Sequence, residues 1–412
     1  MSENSINNLR NVMLCGHGSV GKTTLTEAML FNGGGRSRLG KVDDGNSTTD
    51  YDPLEIDRKI SISLAIAHMD WKEYHINIID TPGYSDFRGE VISAASVTDS
   101  AVIVLDASSG IAVGTEWVWE LTKKHKIPSI LFVNALSKEN ANFFNVIEEV
   151  KKEFKTGIIP LVMPLDEGTK FTTVVNLLEK KAYVYKDGKA QEVEIPESAK
   201  DRVEELSKNL VEGLVETDEE MMEKYLSDEK IDDKELASLL KKGVVAGELH
   251  PVFCGDAYLN IGIDIFLNYL VQLLPSPAER PSVTLTEKEK ERELKVDEPF
   301  TALVFKTIFE PHLGEMNYIR LFSGELTPGT EVFNSTRGVT EKVNQIYFLN
   351  GKERQEAKKL QPGSICGLVK LKSTKTGDTL TTKGRNVKLS TIEFPPPSIS
   401  IAIVPKSKSD EE

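Results

Sequence analysis

The chain has 412 residues, 39% hydrophobic and 28% charged, with a formal net charge of −14. This is the composition of a globular protein with room for two to four domains; no apolar run reaches membrane-spanning length, and residues 1–10 lack a signal peptide's apolar segment. The acidity is local, because residues 191–250 hold 18 acidic and 8 basic side chains, a net of −10 that leaves −4 for the rest, so RNA contact through other surfaces stays open.

In chain order, residues 11–15 read as a buried strand. Gly16, His17, Gly18, Ser19, Val20, Gly21, Lys22 and Thr23 follow, fitting the pattern GxxxxGK[ST], and residues 24–31 read as a helix. Strand before and helix after is the context a phosphate-binding loop requires. The glycines let successive N–H groups converge on one anion, Lys22 reaches terminal phosphates, and the Thr23 hydroxyl is a magnesium ligand. Thr24 belongs to the same binding run at the positive end of the helix. Residues 33–49, rich in Gly, Ser and Asp, read as a mobile loop.

Strands are expected at 62–67, 76–80, 101–106 and 129–134, with helices at 88–97 and 114–125. This alternation predicts an α/β fold with a mostly parallel sheet. Residues 157–249 break the rhythm with a hairpin around Lys186, Asp187 and Gly188, then an acidic helical region. Val203, Leu206, Leu210 and Leu214 give one apolar helix face; the acidic side is either solvated or a docking surface for a basic partner. An apolar strand at 251–257 and a helix to about 274 resume the α/β pattern. Residues 275–296 read as a proline-bearing, charged linker. Short strands at 301–309, 317–323, 330–334, 341–349 and 365–371 predict an antiparallel barrel. Residues 395–412 read as the start of a strand that stops in charges. Cys15, Cys254 and Cys366 lack metal or redox spacing and read as core residues of a reducing compartment.

A second signal is Asp80, Thr81, Pro82, Gly83 at a strand end. Asp80 is placed to hold magnesium through water, and Gly83 to offer its N–H to a γ-phosphate and swing when that phosphate leaves. Ser61 is placed to add a hydroxyl to the metal. Each piece alone is weak; in this order they make a switch-type GTPase.

The segments GHGSVGKTTLTEAML, DRKISI, INIIDTPGYSDF, VLDASSGI, FVNALSKENANF, PVFCGDA, RLFSGELTPGTEV and FPPPSISIAIVPKSK resemble the elongation factor G family of translational GTPases. The likeness is greatest to its divergent second-type paralogues. The resemblance implies an α/β P-loop G domain (1–156 and 250–280) with an α+β insertion (157–249) offered to the ribosomal stalk. It further implies a linker (281–294), an all-β barrel domain (295–393) and the start of a truncated third domain (394–412), hence an N-terminal fragment. It implies GTP or GDP with Mg2+ as ligands, the ribosome (its RNA and stalk proteins) as partner, a cytoplasmic monomer, and no membrane.

Departures from the family stand at the catalytic and base-reading positions. Tyr84, beside Gly83, replaces the histidine that helps position the attacking water, and a phenol is a poor proton acceptor at neutral pH; hydrolysis is expected to be slow. Ser19 replaces an acid of the phosphate loop and Lys59 a glycine, so the Lys59 ammonium is expected either to stand in for a monovalent cation or to sit in solvent. The family's guanine motif NKMD reads Asn134, Ala135, Leu136, Ser137. Downstream, the usual Ser-Ala reads Asp256, Ala257. Acid and hydroxyl are exchanged: Asp256 is expected to supply the carboxylate to guanine with Ser137 supporting it, the alternative being a surface aspartate that caps the next turn. Two other functions remain open at this stage, a pseudo-GTPase that binds without hydrolysis and a P-loop ATPase or kinase outside translation.

Overall fold

The computed structural model describes residues 6–280, 283–310, 313–397 and 399–407. Its first part is built on a seven-stranded sheet. The strands are β1 (Leu9–Cys15), β2 (Ala65–Trp71), β3 (Tyr74–Asp80), β4 (Ser100–Asp106), β5 (Ser129–Asn134), β6 (Gly157–Pro160) and, after the insertion, β11 (Leu249–Cys254). They lie in the order β2-β3-β1-β4-β5-β11-β6, all parallel except β2 against β3. β1, β4, β5 and β11 are buried at every position, as expected of apolar strands covered on both faces. The helices are α1 (Lys22–Asn32), α2 (Pro53–Arg58), α3 (Arg88–Val97), α4 (Val113–Lys124), α5 (Phe143–Phe154) and, after β11, α9 (Ile263–Leu273). Register matters for function. Leu14 stands opposite Asp80, and Asp106 opposite Asn134. The carboxyl ends of the central strands therefore open on one edge, where α/β sheets place ligands.

β6 stands at the start of the stretch assigned by sequence to the insertion, and it pairs as the outer strand of this sheet. The rest of the insertion is a four-stranded sheet of β7 (Val162–Pro164), β8 (Thr173–Asn176), β9 (Lys181–Lys186) and β10 (Lys189–Val193), with α6 (Glu197–Val215), α7 (Glu219–Leu226) and α8 (Asp233–Ala246). The hairpin turn at Asp187 and Gly188 lies where expected, both residues in the left-handed region. On α6, Val203, Leu210 and Leu214 are buried and Leu206 packs half-buried beside them.

The barrel is an eight-stranded antiparallel sheet. Its strands are β14 (Thr301–Glu310), β15 (Gly314–Ser323), β16 (Glu331–Asn334), β17 (Val339–Lys342), β18 (Ile346–Asn350), β19 (Glu353–Glu356), β20 (Ile365–Val369) and β21 (Thr379–Thr381). Their order is β17-β16-β21-β14-β15-β20-β18-β19.

Four sequence expectations are corrected. The strand expected at 62–67 begins at Ala65, because the N–H groups before it are committed elsewhere: Ile62 and Ser63 donate to Glu55, and Leu64 to Glu90. The stretch expected as a linker holds a hairpin, β12 (Val283–Glu287) and β13 (Lys290–Leu294), which pairs with β22 (Val387–Leu389) and buries Leu285 completely; Pro281 and Ser282 lie outside the described residues. The single strand expected at 341–349 is two, β17 and β18, because the chain changes partners there: β17 pairs with β16, and β18 with β19 and β20. The described part of the tail, 395–397 and 399–407, forms no strand; its alternating Ile399, Ile401 and Ile403 are exposed and have no sheet to pair with. Residues 408–412 of that expectation lie outside the described residues.

The barrel grips the α/β part mainly beyond the segment expected to be a mobile loop, residues 33–49, and reaches its end at Thr48. Lys306 on β14 donates to the Leu64 carbonyl at 2.8 Å, to Glu90 on α3 at 2.9 Å and to the Ser63 hydroxyl. The phenols of Tyr51 and Tyr318 lie close together. Gly351, in the β18–β19 turn with φ 58°, donates its N–H to the Ile66 carbonyl at 2.8 Å. A Cβ there would overlap the Thr48 carbonyl. Gly351→Ala is therefore expected to push the turn off the segment at a cost of about 1–3 kcal/mol. Hydrogen exchange checks this: amides of 47–51 should lose protection while those of β1 keep theirs.

Candidate functional site

At the open edge, the loop from Gly16 to Gly21 connects β1 to α1. Gly21 has φ 89°, and a side chain there would collide with the Asn134 amide. The Lys22 ammonium is buried and donates to the carbonyls of His17 at 2.7 Å and Gly16 at 3.3 Å. Burial lowers its pKa to about 8, against the pull of Asp80. It is a cation with no direct ion pair among the described residues, at the positive end of α1, and an oxyanion supplies a counter-charge. Val20 is buried beneath the loop, His17 and Ser19 are exposed, and Thr24 is half-buried in the first turn.

Beside Lys22 lies an oxygen cluster. The hydroxyls of Thr23 and Ser61 are 3.1 Å apart and lie beside the Asp50 carboxylate, whose charged form they favour. Asp80 accepts from Thr49 at 2.6 Å through Oδ2, while its buried Oδ1 has no hydrogen-bond partner among the described residues. Burial holds both carboxyls above the ordinary carboxylate range, and Asp80 adds to this for Asp50. No group of three or more Asp, Glu, His or Cys residues that could hold a metal occurs among the described residues. Two carboxylates, two hydroxyls and an orphaned buried oxygen fit Mg2+, which binds through few protein oxygens and completes its shell with phosphates and water. Thr23, Ser61 and Asp80 would hold the ion, which supplies positive charge against the phosphate oxygens. Sequence reading missed Asp50 and Thr49. It also missed buried Glu27, which ties the loop down by accepting from Thr48 and pairing with Arg36. A usable signal was present in Asp52, Pro53 and Glu55, the capping box that opens α2 and leads the chain back to Ser61.

Thr81 anchors the next turn by donating to the Leu14 carbonyl at 2.7 Å, with Pro82 buried beside it. Gly83 passes so close to Lys22 and the His17 carbonyl that no side chain fits. Tyr84 packs its ring against Gly18, and its hydroxyl lies 3.3 Å from the Ser19 hydroxyl. Two of the residues that depart from the family pattern, Ser19 and Tyr84, thus touch each other. Lys59 does not join them: it caps α2 with φ 55°, and its side chain is 55% exposed, with the ammonium 3.8 Å from Asp43. The expectation of a built-in cation at the phosphates finds no contact here.

The base-reading side is held by Asn134. Its amide donates to the Val20 carbonyl at 3.0 Å and its Oδ1 accepts the Ala257 N–H at 3.0 Å. One side chain thereby fixes the phosphate loop to the loop after β11. Asp256 is 2% exposed. Its Oδ2 accepts from the Ser137 hydroxyl at 2.5 Å and N–H at 3.2 Å, and Oδ1 from the Leu259 N–H at 3.0 Å. The structure brings the exchanged acid and hydroxyl together, and Asp256 also caps the following turn; it is not a surface residue.

Residues 7–276 match the family described as Elongation factor Tu GTP binding domain, and residues 299–383 match Elongation factor G domain 2. The chain belongs to the elongation factor G family of translational GTPases. It is 40% identical to elongation factor G of Thermotoga petrophila over 414 residues, covering 99% of this chain and 60% of that protein. It is 39% identical to elongation factor G of Thermotoga maritima over the same shares of both chains. A crystal structure from Thermus thermophilus superposes with a TM-score of 0.86 at 30% identity, covering 98% of this chain and 58% of that one. The chain thus spans about 60% of the length of these curated relatives. Within the elongation factor G frame, every site residue above falls inside the GTP-binding match, and Lys306 and Gly351 inside the domain 2 match.

Proposed function

We propose that this chain binds GTP and GDP with Mg2+ and serves a cytoplasmic, monomeric translation factor that acts on the ribosome through ribosomal RNA and stalk proteins, in translocation or recycling. The observation that carries the reading is the Asn134 bridge, which holds phosphate and base halves in one frame. Gly16 to Thr24 cradle the phosphates; Asp80, Thr81, Pro82 and Gly83 sense the terminal one; Asn134, Ser137, Asp256 and Ala257 face the base. Residues 157–249, with their acidic helices, form the insertion offered to the stalk. Calorimetric titration with GTP, GDP and ATP tests the reading. Guanine nucleotides should bind and ATP should not; tight ATP binding would support an ATPase or kinase instead.

Hydrolysis is slow in this proposal. Tyr84 lies against Gly18 and Ser19 and offers a phenol where general-base help calls for a better proton acceptor. The same contact favours a second reading, a factor driven by nucleotide binding alone. Tyr84→His separates them in single-turnover assays with ribosomes. A gain of about 10²–10⁴ is expected if only the base is missing; no gain, with GTP still bound, favours the binding-only factor.

A further inference from the structure

Far from the nucleotide edge, the seam between the α/β part and the barrel buries more positive than negative charge. Asp99, just before β4, is 1% exposed. Its Oδ1 accepts from Arg320 of β15 at 2.6 Å and lies 3.6 Å from Arg280, while Oδ2 accepts from Asn11 at 2.8 Å. One carboxylate therefore serves two guanidiniums. The nearest other acid in sequence, Glu279, is already paired with Lys241. Arg320 is 2% exposed and Arg280 half-shielded at 18% of its side chain. Nε of Arg320 and Nη1 of Arg280 are buried without a hydrogen-bond partner among the described residues. Both guanidiniums also lie over the Phe322 ring, at 4.7 and 5.9 Å.

Guanidinium groups do not discharge by losing a proton in proteins. A surplus buried cation costs several kcal/mol unless a counter-charge meets it. Burial, then repulsion from Arg320, depresses the Arg280 pKa to about 10, the mark of a pair short of anions. Next to both arginines lies a cavity of about 270 Å³, walled by Pro277, Val283, Leu294 and Phe322. Glu293 and Lys295 are exposed at its edge and offset each other. Among the described residues its lining is apolar except at Arg280, Arg320 and the edge; the unpartnered Nε and Nη1 are closed to water in this structure, so an entering anion reaches them by a turn of the two side chains toward the cavity.

We propose that this cavity binds a small tetrahedral oxyanion, of the charge and size of sulfate or hydrogen phosphate, between Arg280 and Arg320. The ligand completes the charge balance that Asp99 alone leaves short and fastens β15 to the segment that follows α9 and to the start of β4. The site is independent of the nucleotide reading, since none of its residues lies in the nucleotide pocket.

The test is calorimetric titration of sodium sulfate into the full chain at constant ionic strength, with excess GDP and Mg2+ present to fill the phosphate loop. One sulfate per chain is expected. Arg280→Gln should weaken it at least tenfold, and Arg280→Lys by less, while GDP titrations of both variants match the parent. Equal sulfate affinity in parent and Arg280→Gln, or no binding to the parent, overturns the proposal. Because a variant could fail to fold, crystals of the parent grown in selenate give a second readout. An anomalous peak between the two guanidiniums supports the site; a peak at the phosphate loop alone overturns it.

Discussion

Asp256→Asn is expected to weaken GDP and GTP binding by about 2–4 kcal/mol, roughly thirty- to a thousandfold, and to improve binding of xanthosine nucleotides. Guanine presents two donors, N1–H and the N2 amine, which a carboxylate accepts together. Xanthine carries an oxygen at C2, which an amide donor matches. Ser137 and the Leu259 N–H fix the carboxylate from behind. A carboxylate has about four lone-pair directions, so these three bonds leave one for the base, and the second guanine donor takes the place of the Ser137 N–H, the longest of the three at 3.2 Å. Asparagine keeps an oxygen for the Leu259 cap and so preserves the turn. Calorimetry with GDP and XDP reads the outcome. If Asp256 is only a cap, the variant keeps its preference for GDP and loses no more than about 1 kcal/mol of stability.

Lys22→Ala should abolish measurable triphosphate binding, with a loss of about 3–5 kcal/mol from two charge-assisted contacts to phosphate oxygens. The ammonium is buried and already partly desolvated, so the bound state does not pay that cost afresh. Its present partners are backbone carbonyls, which release it without leaving a stranded charge. Alanine removes a buried cation that has no direct counter-ion among the described residues. The variant is therefore expected to unfold at the same temperature as the parent or higher when nucleotide is absent. Thermal unfolding with and without GTP and Mg2+ distinguishes the effects: the ligand-induced rise in midpoint should vanish in Lys22→Ala. A preserved rise would show that the phosphate loop does not need its lysine.

Much of the site was legible because its chemistry is local. A phosphate loop is a backbone conformation, and Gly16, Gly18, Gly21 and Lys22 declare it within a few residues. The exchange of Ser137 and Asp256 was legible only beside the family pattern, since 119 residues separate the partners. Asp50, Thr49 and Glu27 could not be read off, because their roles arise where an irregular segment crosses α1 and β3. The pairing of Arg280 and Arg320 with Asp99 was equally hidden, since it joins residues from three distant elements. The hairpin of β12 and β13 was misread for another reason. Proline and dense charge outweighed the alternation of Val283 and Leu285, and the third strand that rewards the pairing lies about a hundred residues on.

Lys306 gives the joint between the two halves its character. Three acceptors, two on the segment before β2 and one on α3, converge on the ammonium of a side chain that is 10% exposed. Removing any one leaves a poorly hydrated cation that the remaining two hold less well, so the attachment releases as a unit or not at all. A rearrangement at the 48–64 segment would thus reach the barrel as a threshold event, a catch springing open, and not as a gradual loosening.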